Sequence, residues 1–228
     1  MARQERATRT RQAILVAAGE VFDEVGYEAA TISEILKRSG VTKGALYFHF
    51  SSKEELAQNV LGEQVSSFPE VPERDLVLQK SLDEALLMAH LLQREGGDAI
   101  VRGGVRLTVD QGAPADSLDR LSPMRGWVER NVQMLEKAKA AGELLAHVDL
   151  QAAARLLVGA FTGVQVMSNI MTGRVDMPER VVDLYRHLLP SIAVPGVLVQ
   201  LDFRAERGAQ VHAAAMELRR RGELAAAD

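Results

Sequence analysis

The chain has 228 residues and a net charge of −4, with 47% hydrophobic and 25% charged residues. These values fit a soluble globular protein long enough to bury a core, and they exclude wholesale disorder, collagen-like repeats and fibrous structure. Cysteine is absent, which removes disulfides, thiolate metal sites and cysteine nucleophiles and agrees with a reducing compartment. The N-terminal MARQERATRTRQ is too polar for a secretory signal, and no apolar run approaches the roughly 18 residues of a membrane span. A cytoplasmic protein with no membrane partner is expected.

Basic charge is unevenly spread. Arg3, Arg6, Arg9 and Arg11 face only Glu5 in the first dozen residues, and Lys37, Arg38, Lys43 and Lys53 lie in a stretch, Ile35 to Lys53, that holds no carboxylate. The overall negative charge argues mildly against nucleic-acid binding, although phosphate neutralisation is a local matter. A charge run is more often a solvated face than a site, so the asymmetry gains meaning only beside a structural motif.

Low aromatic content, 4%, and long stretches of helical spacing predict an all-α protein. A first helix from about Thr8 to Val25 carries an apolar stripe of Ile14, Ala17, Ala18, Val21, Phe22 and Val25, and Gly26 stops it. A second begins at Thr31, where Thr31 and Glu34 have capping-box spacing, and ends at Gly40. Val41 leaves no room for a loop before Thr42, which caps a third helix through His49. Ser52 and Glu55 repeat the capping-box spacing and start a fourth helix through Leu56, Val60 and Leu61.

Pro69 and Pro72 bracket SSFPEVPERD, a break between this N-terminal quarter and the remainder. Beyond it, helical patterns occupy about Asp75–Glu95, Asp98–Asp110, Pro123–Ala141, Asp149–Met171, Pro178–Leu189 and Arg204–Arg221. Ser122 reads as a cap before Pro123, and Gly142 and Gly173 as stops. Val194–Leu201 has strand-like composition but no pairing partner, so irregular or helical structure is expected there.

A short helix joined by a glycine-containing turn to a second helix can lay that second helix in the major groove of DNA. Thr42 and Lys43 stand at the start of the reading helix, where a lysine can donate to guanine acceptors. Gly44 lets backbone approach closely, Tyr47 follows one turn beyond Lys43, and His49 and Lys53 are placed to meet flanking phosphates. The plainer alternative is packing. It is expected for Phe48 and Phe50, since an apolar ring has no use for phosphate, whereas His49 suits either role.

Phe22, Gly26, Thr31, Ile32, Ile35, Gly40, Val41 and the run TKGALYFHFSSKEEL resemble the DNA-binding domain of the TetR family of repressors over about Thr8 to Leu61. The resemblance implies an N-terminal three-helix helix-turn-helix domain, residues 1–62, and a helical-bundle ligand-binding and dimerisation domain, residues 63–228. It implies a homodimer on a palindromic operator of double-stranded DNA, released when a small molecule enters the C-terminal domain. Thr31 joins Thr42, Lys43, Gly44, Tyr47, His49 and Lys53 in the expected DNA-binding set. ARQERATRTRQAIL and GALYFHFSSKEELA look like the γ-butyrolactone autoregulator receptors of antibiotic-producing actinomycetes, with butenolide receptors as close kin. The implied effector is a small lactone or butenolide. A different small apolar ligand, such as an antibiotic or its intermediate, is the alternative.

Trp127 is the only tryptophan, and its apolar face and single donor suit a neutral lactone as well as a core. Receptors of the resembling kind are known for a pocket tryptophan, which favours the first role. The apolar helix from Asp149 is expected to be buried, with Val158, Thr162, Gln165 and Asn169 on one face and Gly159 and Gly163 in a seam fit for a neighbouring helix. Thr162 faces either a pocket or water. Val158 and Gln64 are expected ligand contacts, Gln64 linking the ligand to the fourth helix, and Met88 adds pocket lining to a mainly core role. The mechanism expected is a two-state dimer whose reading helices lie about 34 Å apart in the DNA-bound form.

The sequence holds no HExxH, phosphate loop, GxSxG elbow or cysteine, and His49, His90, His147, His187 and His212 lack metal-ligand spacing. An enzyme, a metal and a cofactor are therefore not expected. A helical adaptor for protein partners is the third class, distinguishable by its lack of salt-dependent duplex binding.

Overall fold

The computed structural model describes residues 2–66, 68–110 and 117–225, and side chains within residues 4–222 of those segments. Among the described residues every named element is a helix, and the β structure is an isolated bridge between Leu144 and Ala193. The chain divides into two compact units, residues 1–68 with 98–125 and residues 69–97 with 126–228.

The first unit begins with α1 (Ala2–Ala29), which runs through a kink at Gly26, φ 74°. Then come α2 (Ile32–Ser39), α3 (Lys43–His49) and α4 (Lys53–Ser66). Their starts are written locally. The Thr31 side chain accepts from the Glu34 amide at 3.2 Å, the Thr42 side chain from Ala45 at 3.2 Å, and the Ser52 side chain from Glu55 at 3.0 Å. Gly40 ends α2 in the left-handed conformation, φ 66°, where a side chain would be strained. Ile14, Phe22, Ile35, Leu46, Phe50, Leu56 and Leu61 form the buried core of this unit. Val25, expected on the apolar stripe, is exposed, because it sits at the kink where the helical repeat breaks.

Helix α6 (Ala99–Val109) belongs to this unit although a long segment separates it in sequence from α4. It packs against α1 and α4. A β-carbon added at Gly19 would strike the Ala99 carbonyl oxygen, and one at Gly103 would lie 2.5 Å from the Gly19 carbonyl oxygen. Glycine at both positions lets the two helix backbones touch.

The second unit holds α5 (Val77–Leu91), most of α7 (Leu121–Ala140), α8 (Leu150–Thr172), α9 (Met177–Leu188), the short α10 (Pro195–Leu198) and α11 (Arg207–Ala225). Helix α5 packs against α9 and α11, and α8 against α9. Val194–Leu201 forms the one-turn α10 and its flanks instead of a strand. Ser122 does not cap α7: the Asp119 carboxylate accepts from the amides of Leu121 and Ser122, both at 3.0 Å, so the helix starts earlier. Gly173 ends α8 in the left-handed conformation, φ 63°.

Two carboxylates order this unit from within. Glu143 accepts from the Val77 amide at 2.7 Å and the Leu78 amide at 2.8 Å. Helix α5 has no side-chain cap of its own, so a residue beyond α7 satisfies its first amides. Asp83, fully buried, takes Arg74 at 2.6 Å and Arg207 at 2.6 Å. That charge cluster ties α11 and the segment before α5 to α5 itself.

Helix α8 departs from two expectations. Its 23 residues are long and apolar enough to meet the length and composition of a membrane span, because glycine, alanine and threonine interrupt an apolar run at little cost in hydropathy. It is also far from wholly buried: Leu156, Met167 and Ile170 are 56%, 62% and 77% exposed. Gln165 and Ser168 are buried on its other side, and Ser168 donates to Asp176 at 2.6 Å. Packing against α9 accounts for one side of the helix alone.

Candidate nucleic-acid interface and ligand domain

Leu46 and Phe50 are buried and anchor α3 to its unit. With those anchors inward, Thr42, Lys43, Gly44 and Tyr47 are exposed. The Lys43 ammonium lies 5.9 Å from the centroid of the Tyr47 ring, a cation–π distance that holds the two side chains on one flank. Thr31 is exposed at the start of α2. Each capping threonine uses an oxygen lone pair on its helix and retains a hydroxyl proton to donate.

Phe48 overturns the packing expected of it. Its ring is 79% exposed, and it stands nearly perpendicular to the His49 ring at 5.1 Å between centroids. Two residues beyond inward-facing Leu46, the helical step turns position 48 almost fully outward. The signal was present in the spacing and was masked by the apolar character of the side chain. His49 is half-buried, also 6.3 Å from the Phe50 ring.

Lys53 is half-buried and engaged by the end of α1. Its ammonium donates to the carbonyls of Tyr27 at 2.9 Å, Ala30 at 3.1 Å and Glu28 at 3.4 Å, and lies 4.3 Å from the Tyr27 ring. A cation there closes the negative end of α1. Other basic residues of the N-terminal quarter are similarly occupied. Arg38 forms a bidentate pair with Glu24 at 2.6 and 2.7 Å and a bond to Glu34 at 3.1 Å, which together raise its already high pKa. Arg11 donates to Asn59 at 2.7 Å and covers the Phe50 ring. Arg6, Arg9 and Lys43 are exposed, and the Arg3 side chain lies outside the described residues.

The residues expected to hold ligand fall in both units. Gln64 belongs to the first: it is buried, and its amide donates to the Thr108 hydroxyl at 2.9 Å. Trp127, Met88, Val158 and Thr162 belong to the second. Met88 and Val158 are buried, whereas Trp127 and Thr162 are half-buried. The Thr162 hydroxyl donates to the Val158 carbonyl at 2.8 Å, leaving its lone pairs as acceptors. Gln165 was expected on the same stripe without a role of its own. It is 2% exposed, and its Nε2 has no hydrogen-bond partner among the described residues. The Gly159–Gly163 seam meets nothing within its own unit that a β-carbon would touch. These glycines share an arc of about 80° with Leu156, Met167 and Ile170, so the apolar outer stripe of α8 is continuous.

Among the described residues no group of His, Cys, Asp and Glu is arranged to hold a metal ion.

Residues 14–60 match the family described as bacterial regulatory proteins, tetR family. Over 231 aligned residues the chain is 38% identical to the A-factor receptor protein of Streptomyces griseus, taking in 99% of this chain and 80% of that protein. The crystal structure of full-length native TylP, a TetR regulator from Streptomyces fradiae, is 59% identical, with a TM-score of 0.86 over 92% of this chain and 99% of that one. A γ-butyrolactone receptor described as ArpA-like is 30% identical, with a TM-score of 0.67 over 90% of this chain and 98% of that one. Helix-turn-helix geometry and these similarities agree, and the chain belongs to the TetR family of bacterial regulatory proteins.

Proposed function

We propose that the protein is a ligand-responsive transcriptional repressor. As a homodimer in the cytoplasm it holds a palindromic operator on the nucleoid, and it leaves that operator when a γ-butyrolactone or butenolide binds, thereby controlling secondary-metabolite production. The observation that carries this reading is the capped, solvent-facing start of α3, with Thr42, Lys43, Gly44 and Tyr47 exposed on a helix anchored by Leu46 and Phe50. A short helix so presented can enter a major groove about 12 Å wide.

Thr31, Thr42, Lys43, Gly44, Tyr47 and His49 are the proposed DNA contacts, with Lys53 fixing the chain that carries them. The ligand contacts proposed are Trp127, Met88, Val158 and Thr162, all of the second unit. Apolar area from Trp127, Met88 and Val158 suits the alkyl part of a lactone, and Thr162 suits its oxygens. The outer stripe of α8 supplies the dimer contact, its glycines allowing close approach of a second helix. Release requires the ligand to favour one arrangement of the dimer over the other.

The test is a mobility-shift assay at fixed salt with full-length protein and a duplex selected from genomic fragments. Lys43→Ala and Tyr47→Ala weaken binding. Trp127→Ala binds the duplex as wild type and no longer responds to γ-butyrolactones. Undiminished binding by both α3 variants would overturn the reading.

A further inference from the structure

The outermost ridge of α3 is formed by Gly44 and Phe48, not by Lys43 and Tyr47. Each lies two residues from inward-facing Leu46, hence about 160° from it around the helix axis. Phe48 is 79% exposed, against 44% for Tyr47. Neither ridge residue is explained by the fold. A β-carbon at Gly44 would meet nothing within 4 Å, and Gly44 is not among the glycines of positive φ. Alanine would fit there and favour the helix. Phe48 leaves a large apolar face in water, where burial would be favourable. A bare backbone one turn before a projecting ring describes a surface that something approaches closely.

Resting on the DNA-binding reading, we infer that Phe48 is a specificity-determining residue that reads thymine through its C5-methyl group. Along the major groove the base edges present hydrogen-bonding atoms, and the thymine methyl is the apolar exception. Phosphates offer a phenyl ring nothing. Gly44 lets the helix sink until the Phe48 ring reaches the base edges, while Lys43 and Tyr47 engage polar groups on the flank. The ring resting on His49, 5.1 Å between centroids, has fewer orientations to lose on binding. Each operator half-site therefore holds a thymine opposite Phe48, and the dimer reads two.

The experiment uses the full-length protein and a duplex selected from random sequence, with each thymine replaced in turn by deoxyuridine, which pairs identically and lacks the methyl. One position per half-site weakens wild-type binding about fourfold, the worth of one buried methyl-sized group. Phe48→Ala binds more weakly and is indifferent to that replacement. Because Phe48 is exposed, this variant keeps the anchors Leu46 and Phe50 and unfolds at the wild-type temperature. Gly44→Ala raises the unfolding temperature and weakens duplex binding. The inference is overturned if no deoxyuridine replacement affects the wild type, or if Phe48→Ala keeps the same sensitivity. Selection of no duplex at all would instead bring down the regulator reading, and this inference with it.

Discussion

The side-chain amide of Gln64 on α4 donates to the hydroxyl of Thr108 on α6 at 2.9 Å, and that hydroxyl donates onward to the Gly104 carbonyl at 2.8 Å. Gly104 itself leaves the room: a β-carbon there would sit 3.0 Å from Cβ of Gln64. Thr108→Val preserves the shape and deprives buried Gln64 of its acceptor. The expected loss is about 1–3 kcal/mol, read as a lower unfolding temperature with lactone-induced release retained.

Two lysines at the same end of the chain separate by experiment. Lys43→Ala lowers the slope of log affinity against log salt by about 1 and leaves the unfolding temperature unchanged. Lys53→Met does the reverse, since its ammonium closes the end of α1 through three carbonyls. Salt titration and thermal melts of both variants check the assignment. A full unit of salt slope lost in Lys53→Met, with an unchanged melt, would put Lys53 on phosphate.

The outer stripe of α8 predicts oligomeric state. Ile170→Asp or Met167→Glu places a carboxylate where the dimer contact is proposed, at a cost of several kcal/mol for an unpaired buried charge. Sedimentation at micromolar concentration should find monomers with weakened operator binding. Persistent dimers in both variants would move the contact elsewhere.

Acidification should loosen the seat of α11. His90 on α5 stacks on His212 of α11 with centroids 5.8 Å apart, and Gly208 fits against the His90 ring. Burial, then the neighbouring His212, hold the His90 pKa below its ordinary value, against smaller opposing effects of Glu179 and Gln93. The unfolded chain therefore takes up this proton first as pH falls. Stability is present above the ordinary histidine value of about 6.5 and declines below it. Melts between roughly pH 7.5 and roughly pH 5.5 should fall more steeply for wild type than for His90→Gln. Equal slopes would show that the pair does not govern that decline.

What was legible in the sequence was local. Thr31, Thr42 and Gly40 specify α2 and α3 because a cap acts within one turn, and the apolar repeat of α1 is read the same way. The Ser52–Glu55 spacing was half right: Ser52 caps α4, but the Glu55 carboxylate turns to the amide and hydroxyl of Ser51. Long-range packing was hidden. Gly159 and Gly163 look, as letters, like Gly19 and Gly103, yet only the latter pair brings two helices of one unit together. Phe48 faces outward where packing was expected, since apolarity predicts average burial while helical phase decides the particular case, and half-buried Lys53 reaches the carbonyls at the end of α1. No spacing rule relates Gln64 to Thr108 across the chain, so their hydrogen bond was not legible.

The cap that Glu143 gives to α5 comes from 66 residues downstream. Residues of the first unit end at 125 and therefore leave the ribosome ahead of Glu143, so α5 emerges with its first amides served by water. Order of emergence is thereby set by the chain: every residue of the N-terminal module is outside before the carboxylate that fastens the second half.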